Sequence, residues 1–395
     1  MKKKVFCSAT KILHLQKFYS HYYLSDMQKN IFRNFLLISF VLFSLNSFSQ
    51  HETEVQKSEH QTEHKEVKKD LKTEIKEDIR HHVKDSYYFD FNANTETGEY
   101  NGFSLPVILI DNGFHIFMAS KFEHGKKVAE VSGNYYKLYH NKIYKTDAEG
   151  TLTLDEHHHP TNAKPLDFSI TKGVFSILIV SLIVFLIFSS LAKSYAKNGS
   201  IPKGVGRFFE PLVIYIRDEV AIPSIGHKHY KKYMPFLLTV FFFIWFSNLI
   251  GITPFGMNIT GNLAVTAALA MLTFLITQFT SKKNYWQHIF WMPGVPWPMK
   301  IILAPIELLG VFIKPFALMM RLYANIFAGH IVIYTILGML FVFKSYIGGS
   351  LSFALALVIS ILELLVAILQ AYIFTMLSAL YFGFASEEHE LEHNE

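Results

Sequence analysis

Five ionisable residues interrupt two long apolar runs near the end of this 395-residue sequence. Glu307, Lys314, Arg321 and His330 fall in the first run, and Glu363 falls in the second. An ionisable group at the middle of a bilayer costs roughly 2.5–3.5 kcal/mol even on a lenient insertion scale. Long side chains near the end of a span can reach the interface, which could account for Lys314 or Glu307 but not for a central arginine. Five such groups in two helices are therefore hard to explain as accident.

The helical positions of these residues sharpen the prediction. At 100° per residue, Glu307, Lys314, Arg321 and Asn325 lie within roughly 40° of one line on the helix. His330 faces the opposite way and lies ~13 Å further along the axis than Arg321. The first helix thus combines a polar stripe around a fixed positive charge with a displaced histidine.

The second run adds matching polar groups. Glu363 and Gln370 are seven residues apart and therefore share one face of a helix. A polar stripe of this kind cannot face lipid, so it must face water or a moving partner. His330 and Glu363 form a candidate titratable pair on the other side of the membrane from Glu307.

Five apolar runs are long enough to position these residues in a membrane. The first three cover residues 174–192, 235–252 and 263–280, and each suits one crossing. The last two cover residues 301–343 and 351–384, which correspond to helices of ~64 Å and ~51 Å at 1.5 Å per residue. Because these lengths exceed the hydrocarbon thickness, the sequence predicts a strongly tilted hairpin.

Positive charge predicts how the chain is oriented. Lysines and arginines are concentrated in residues 193–232, and lysines follow the third run, whereas the link between the second and third runs carries no charge. Since cytoplasmic loops carry the excess of lysine and arginine, the N-terminal part is expected outside and the C-terminus in the cytoplasm. Within the basic segment, apolar residues recur at helical spacing and predict an amphipathic surface helix: Phe208, Phe209, Leu212, Val213 and Ile216.

The N-terminal part divides into three predicted segments. In residues 1–50, Met27 is followed by a basic stretch, an apolar stretch and then small or polar residues. This order favours a cleaved signal peptide over a permanent anchor. Residues 51–87 are charged, rich in histidine and expected to be flexible. Residues 88–165 alternate apolar and aromatic residues between turn signals, which predicts a small β-rich periplasmic module.

Composition limits the other functions. Hydrophobic residues make up 51% of the chain, and the net charge is only +5. Nucleic-acid binding is not indicated, because the basic residues flank apolar runs. The histidines, including His157–His159, match no defined set of metal ligands, and one cysteine, Cys7, allows no disulfide framework. No metal and no cofactor is expected. The sequence contains no P-loop, so nucleotide binding is not predicted.

Several stretches resemble subunit a of the F-type ATP synthase. The segment KPFALMMRLYANIFAGH, from Lys314 to His330, resembles the arginine signature of the family. ISILELLVAILQAYIFTMLSALYFGFASEEHE resembles its final helix, and PFLLTVFFFIWFSNLIGITPFGMNITGNLAVTAALA resembles its middle hairpin. The resemblance covers residues from about 166 to the C-terminus, so residues 166–395 are expected to form the membrane domain.

The resemblance implies a role for each site residue. Arg321 takes the place of the essential arginine that faces a ring of c subunits, and Asn325 and Gln370 take those of its polar neighbours. Glu307 matches a carboxylate of the inner half-channel. His330 and Glu363 match the pair of the outer half-channel, in which bacterial members often have the glutamate first and the histidine second. The swapped order leaves open which group is protonated first.

The family also implies the partners and the location. A stator subunit of this kind would contact the c ring, the b subunits of the peripheral stalk and the lipid of a bacterial inner membrane, and it would catalyse no reaction itself. The expected fold is an all-α polytopic membrane protein of about five crossings with an amphipathic surface helix and a small β-rich module. A secondary transporter or ion channel is the alternative, although no internal repeat supports it. A membrane enzyme using His330 and Glu363 is a further alternative without a paired motif.

Overall fold

A computed structural model describes residues 85–94, 99–155, 160–198, 204–253, 257–292, 295–342 and 346–386. It consists of a small β-rich module followed by a helical domain. The predicted signal peptide, nearly all of the charged segment before residue 88 and the histidine cluster at residues 157–159 lie outside the described residues.

The described residues of the module form eight strands in three small antiparallel sheets. The strands are β1 (Tyr88–Asn94), β2 (Glu99–Ser104), β3 (Pro106–Ile110), β4 (Phe114–Met118), β5 (Val128–Val131), β6 (Asn134–Tyr139), β7 (Lys142–Thr146) and β8 (Leu166–Asp167). β1 pairs with β2, β3 pairs with both β4 and β8, and β6 pairs with both β5 and β7. The predicted turn at residues 111–113 joins β3 to β4, where Asn112 adopts a positive φ of 50°. A 3-10 segment, Ala119–Gly125, was not predicted.

Alternation along the strands builds the core of the module. Val107, Leu109 and Phe117 point inward and pack with Phe122 and Tyr136. The intervening residues of the same strands point outward, because successive side chains of a strand lie on opposite faces. This face of the β3–β4 pair therefore closes one small apolar core.

The helical domain contains eight α-helices within the described residues. These are α1 (Lys172–Asn198), α2 (Val205–Tyr215), α3 (Ile222–Ile225), α4 (Tyr230–Gly251), α5 (Leu263–Thr280), α6 (Lys283–Phe290), α7 (Trp297–Val342) and α8 (Tyr346–Ser386). A π-helical segment, Ile216–Ala221, joins α2 to α3. Five of the helices, α1, α4, α5, α7 and α8, are long and apolar enough to cross a membrane. The predicted fold class, with five spans and a β-rich N-terminal module, is confirmed.

The predicted amphipathic helix is present, but its apolar residues divide between two surroundings. Phe209 and Ile216 are buried against the bundle, whereas Phe208 is exposed. Phe209 contacts Phe242 and Trp245 of α4 at centroid separations of 5.7 and 6.4 Å. The helix therefore lies against protein on one side, a contact that periodicity alone cannot distinguish from contact with lipid.

The central helix of the domain is α4. It packs against α1 and α8, and its Phe241, Phe242 and Phe243 are all buried. At its first turn, the Tyr233 hydroxyl bonds Thr280 of α5 at 3.0 Å and Ser386 of α8 at 2.9 Å. These bonds fix the ends of three helices at one level. α8 packs against α4, whereas α7 packs against α5 and α8.

Candidate functional site

The proposed site residues lie on α7 and α8, which are 46 and 41 residues long. Leu, Ala, Met, Phe and Ile fill most of α7, and Pro305 and Pro315 occur within it. Each proline removes one backbone donor from the helix interior. The outward-facing positions of α7 are mainly large apolar side chains, among them Ile306, Leu309, Phe312 and Phe316. Polar side chains are therefore few and conspicuous on this helix.

Arg321 is exposed near the middle of α7. Within the part of the chain that the structure describes, no carboxylate forms an ion pair with it. A guanidinium keeps its charge because its pKa exceeds 12. The helix thus presents a permanent positive charge on a surface that the other described residues do not cover.

Asn325 and Gln370 are brought together by the packing of α7 against α8. The Asn325 side chain donates a hydrogen bond from Nδ2 to Oε1 of Gln370 at 2.9 Å. Gln370 is buried, whereas Asn325 is exposed one helical turn after Arg321. The buried amide therefore holds an exposed polar group beside the arginine.

His330 and Glu363 are also brought into one region. His330 is 5% exposed and Glu363 is 6% exposed. Glu363 lies against Gly329, the residue before His330, since a Cβ at Gly329 would fall 2.9 Å from Glu363 Oε1. On the other side, a Cβ at Gly251 would fall 3.4 Å from His330 Nε2. Two glycines thus make room for two titratable side chains between α4, α7 and α8.

The carboxyl group of Glu363 is enclosed. Neither of its oxygens has a hydrogen-bond partner among the described residues. A buried carboxyl group is much less costly in its protonated form than as an isolated anion. Glu363 is therefore a titratable group in an enclosed surrounding.

Asn248 and Thr260 belong to the same region, and sequence reasoning did not find them. Asn248 Nδ2 donates to the Ala367 carbonyl of α8 at 3.3 Å, and the Thr260 hydroxyl donates to Asn248 Oδ1 at 2.6 Å. Both residues are almost fully buried. Asn248 interrupts an otherwise apolar stretch of α4, and that interruption was the available signal.

Glu307 and Lys314 lie apart from these pairs. Glu307 is 14 residues before Arg321, which corresponds to ~21 Å along a helix, and it is partly exposed. Lys314 Nζ lies 6.0 Å from the ring centroid of Tyr381 and 5.7 Å from that of Phe384, both on α8. The structure thus keeps Glu307 apart from the pair His330–Glu363. Two distinct paths would need such a separation.

No cluster of three or more histidine, cysteine, aspartate or glutamate side chains suited to a metal ion occurs among the described residues. The titratable groups and the fixed charge of the region can bind protons, orient water and attract a carboxylate.

In comparisons with known proteins, the two parts of the chain match two different family models. Residues 174–383 match the family described as ATP synthase A chain, and residues 78–168 match a domain of unknown function, DUF8433. ATP synthase subunit a 2 of Chlorobaculum tepidum is 47% identical over 240 residues, which cover 57% of this chain and 67% of that protein. ATP synthase subunit a of Chlorobium phaeobacteroides strain DSM 266 is 44% identical over 298 residues, covering 72% and 85%. ATP synthase subunit a of Chloroherpeton thalassium is 48% identical over 224 residues, covering 55% and 67%.

The matched region contains every proposed site residue, from Glu307 to Gln370, and all but the outermost two or three residues of the five candidate spans. On this evidence the chain is a multi-pass membrane protein and belongs to the ATP synthase A chain family.

Proposed function

We propose that this chain is the proton-translocating stator subunit of an F-type ATP synthase. It supplies two offset half-channels and a fixed positive charge, and it couples proton flow to rotation of a ring of c subunits. The ATP-forming reaction itself takes place elsewhere in the complex.

The observation that carries the proposal is the exposed Arg321 on an apolar helix. Exposing a permanent charge on such a helix is costly unless a partner of opposite charge meets it. A rotor carboxylate arriving at this position would be held ionised, because a nearby positive charge favours the charged form of an acid. Since the guanidinium does not release its proton, it would also block direct passage of protons between the two half-channels.

The outer path is assigned to His330 and Glu363. Their burial beside Gly251 and Gly329 supports this role, since two titratable groups share an enclosed region reached by three helices. A proton taken up there would neutralise an arriving rotor carboxylate, which could then turn through lipid as an uncharged acid. Asn325 and Gln370 would keep the adjacent surface polar at the point where the acid is charged.

The inner path is assigned to Glu307, ~21 Å from Arg321 along α7. A rotor carboxyl group completing its turn would release its proton toward this side. Each elementary charge that crosses gains ~2.3 kcal/mol per 100 mV of membrane potential, which drives the rotation. The offset between the two paths converts this energy into rotation instead of leakage.

The proposed setting is a bacterial inner membrane, with the β-rich module outside and the C-terminus in the cytoplasm. The lysines after α5 and the basic residues between α1 and α4 support this orientation. The proposed partners are the c ring, the b subunits of the peripheral stalk and lipid. The chain binds no nucleotide or nucleic acid in this role.

The decisive experiment compares Arg321→Ala and Arg321→Lys with the unmodified chain in membrane vesicles. Each variant is first checked for assembly by copurification of the complex. Both are expected to abolish ATP synthesis driven by a proton gradient, because alanine lacks the charge and lysine can lose it in a poorly solvated site. Normal coupled synthesis by an assembled Arg321→Ala variant would refute the proposal.

A further inference from the structure

The outer face of the β3–β4–β8 sheet is apolar and uncovered by the rest of the described chain. The register places Ile110 opposite both Phe114 and Leu166, and Ile108 opposite Ile116. Directly opposed residues of paired strands share a face. Phe114, Ile116 and Leu166 are 65%, 59% and 60% exposed, respectively.

The same face continues toward α1. Beyond β8, Phe168 N donates to the Ile108 carbonyl at 2.9 Å, and Ile170 N donates to the Pro106 carbonyl at 3.1 Å. Alternation then places Phe168 and Ile170 on the side of Leu166. Three rows of three residues result, named here the apolar grid: Pro106, Ile108, Ile110, Phe114, Ile116, Met118, Leu166, Phe168 and Ile170.

The grid is fixed at the point where the chain enters the membrane. Ile170 comes two residues before α1, whose Lys172 N donates to the Ser86 carbonyl at 2.8 Å. Gly173 N donates to the Asp85 carboxylate at 2.8 Å. The Phe175 ring also contacts that of Phe103, with centroids 5.5 Å apart. The module is therefore attached to the first turn of a span by backbone bonds and aromatic packing.

We propose that the apolar grid docks on the lipid surface of the leaflet that α1 enters. At ~3.3 Å per residue, the grid extends only ~13 Å from Ile170 to Leu166, so its whole length can contact the interfacial layer. Elements that lie in this layer bury an apolar face ~5–10 Å deep and keep polar residues around it. A solvated face of such size and composition is otherwise unfavourable.

Charge at the membrane-proximal end of the grid agrees with this partner. Met118 lies at that end, opposite Pro106, and is followed by Lys121, Lys126 and Lys127 with only Glu123 among them. Lys127 pairs with Glu123 at 2.6 Å, while Lys121 and Lys126 are exposed. Basic side chains near a bilayer surface are attracted to lipid phosphates. The module thus combines an apolar contact with a positive edge.

Spin labels can test the proposal in the intact assembly reconstituted into lipid vesicles. Cys7 is replaced by serine, and single cysteines are introduced as Phe114→Cys, Ile116→Cys and, for a matched control on another sheet, Glu130→Cys. All three side chains are exposed, so labelling removes no core contact. Collision rates are then measured with oxygen, which concentrates in lipid, and with a water-soluble nickel chelate.

The two grid labels are expected to show a ratio of oxygen to nickel collisions several-fold higher than that of the Glu130 label. Similar ratios at all three positions would place the grid in water and overturn the proposal. Protection from both reagents at the grid positions would also overturn it, since it would show that another protein or a second copy covers the face.

Discussion

The side chains of Asn325 and Gln370 form a hydrogen bond of 2.9 Å between α7 and α8, one helical turn from Arg321. This contact sets the rotation of α7 relative to its neighbour at the level of the arginine. Because Gln370 is buried, it acts as the fixed member of the pair, and Asn325 is held by it at the surface.

Replacing either member of this pair should weaken coupling. In Gln370→Leu and in Asn325→Leu, we expect gradient-driven ATP synthesis to fall on the order of tenfold. Leaving one amide without its hydrogen-bond partner costs roughly 1–3 kcal/mol, which would disturb the arrangement of α7 beside Arg321. The double variant should lose little more than either single variant. Thr335→Val is the control, because its hydroxyl is exposed and bonds only the Ile331 carbonyl of its own helix. Fully additive losses in the double variant would argue against a shared role.

Gly329→Ala should displace the Glu363 carboxyl group without disrupting the helix. The new methyl group would fall 2.9 Å from Glu363 Oε1, which lies at the end of a side chain that can move. We expect the complex to assemble and proton flux to fall by roughly tenfold, as misplaced reacting groups commonly cause losses of this order or more. Gly310→Ala on the same helix is the matched control. Apart from the adjoining residues and backbone of its own helix, no heavy atom of the described residues lies within 4 Å of the place its methyl group would take. Equal flux in the two variants would contradict the assignment of Glu363.

Asn248 should matter mainly for stability. Asn248→Leu removes the bonds to Ala367 and Thr260 and leaves a buried carbonyl and a buried hydroxyl without these partners. We expect the free energy of unfolding to fall by about 2 kcal/mol. The measurement is the temperature at which the detergent-solubilised complex dissociates. Thr273→Val, which alters a buried hydroxyl bonded only within α5, should lower it much less. A Thr273→Val effect as large as that of Asn248→Leu would count against a specific link between α4 and α8.

Asp111 predicts a pH dependence in the β-rich module. Its carboxylate pairs with Lys145 at 2.8 Å and accepts a hydrogen bond from the Tyr136 hydroxyl at 3.1 Å. The Lys145 hydrogen bond holds the pKa of Asp111 below its ordinary value, while burial and Asp111 raise the pKa of Tyr136 to about 12. A lowered folded-state pKa stabilises the module above the ordinary aspartate pKa and loses that contribution as pH falls through the folded value.

Asp111→Asn should therefore destabilise the module by about 1 kcal/mol at neutral pH. The difference from the unmodified chain should begin to shrink below pH ~4, where Asp111 of the unfolded chain takes up a proton, and should shrink further as the pH falls through the lower pKa of the folded carboxylate. Hydrogen exchange of the β3 and β6 amides in the full chain, corrected for intrinsic rates, measures this. A difference that stays constant from pH 7 to pH 3 would rule out the ionic origin.

Much of the fold could be predicted from hydropathy, because a bilayer imposes a length on every span. The run at residues 263–280 coincides with α5, and the long final runs coincide closely with α7 and α8. The α6 helix and the 3-10 segment could not be predicted in this way, since each is short and depends on tertiary contacts. Alternation indicated the strands, but not how they would pair into three sheets.

The site could be predicted only as far as single helices allow. Spacing placed Glu363 and Gln370 on one face of α8, and the charge of Arg321 identified α7. The contacts Asn325–Gln370 and Glu363–Gly329 depend on the register between two helices, which a local pattern does not contain. Asn248 was missed for a related reason, because its importance lies in bonds to two distant segments.

The spans differ greatly in how much of their surface their own chain covers. In the most apolar part of α4, 78% of residues are buried, against 11% in α7. The buried phenylalanines of α4 pack closely with their neighbours, so only side chains of similar shape fit there and few substitutions will be neutral. Most outward positions of α7 specify only that a residue be apolar, and sequence drift among Leu, Ile, Phe and Met should be well tolerated. α7, which contains most of the proposed site residues, is therefore expected to tolerate more substitutions than α4 at its other positions.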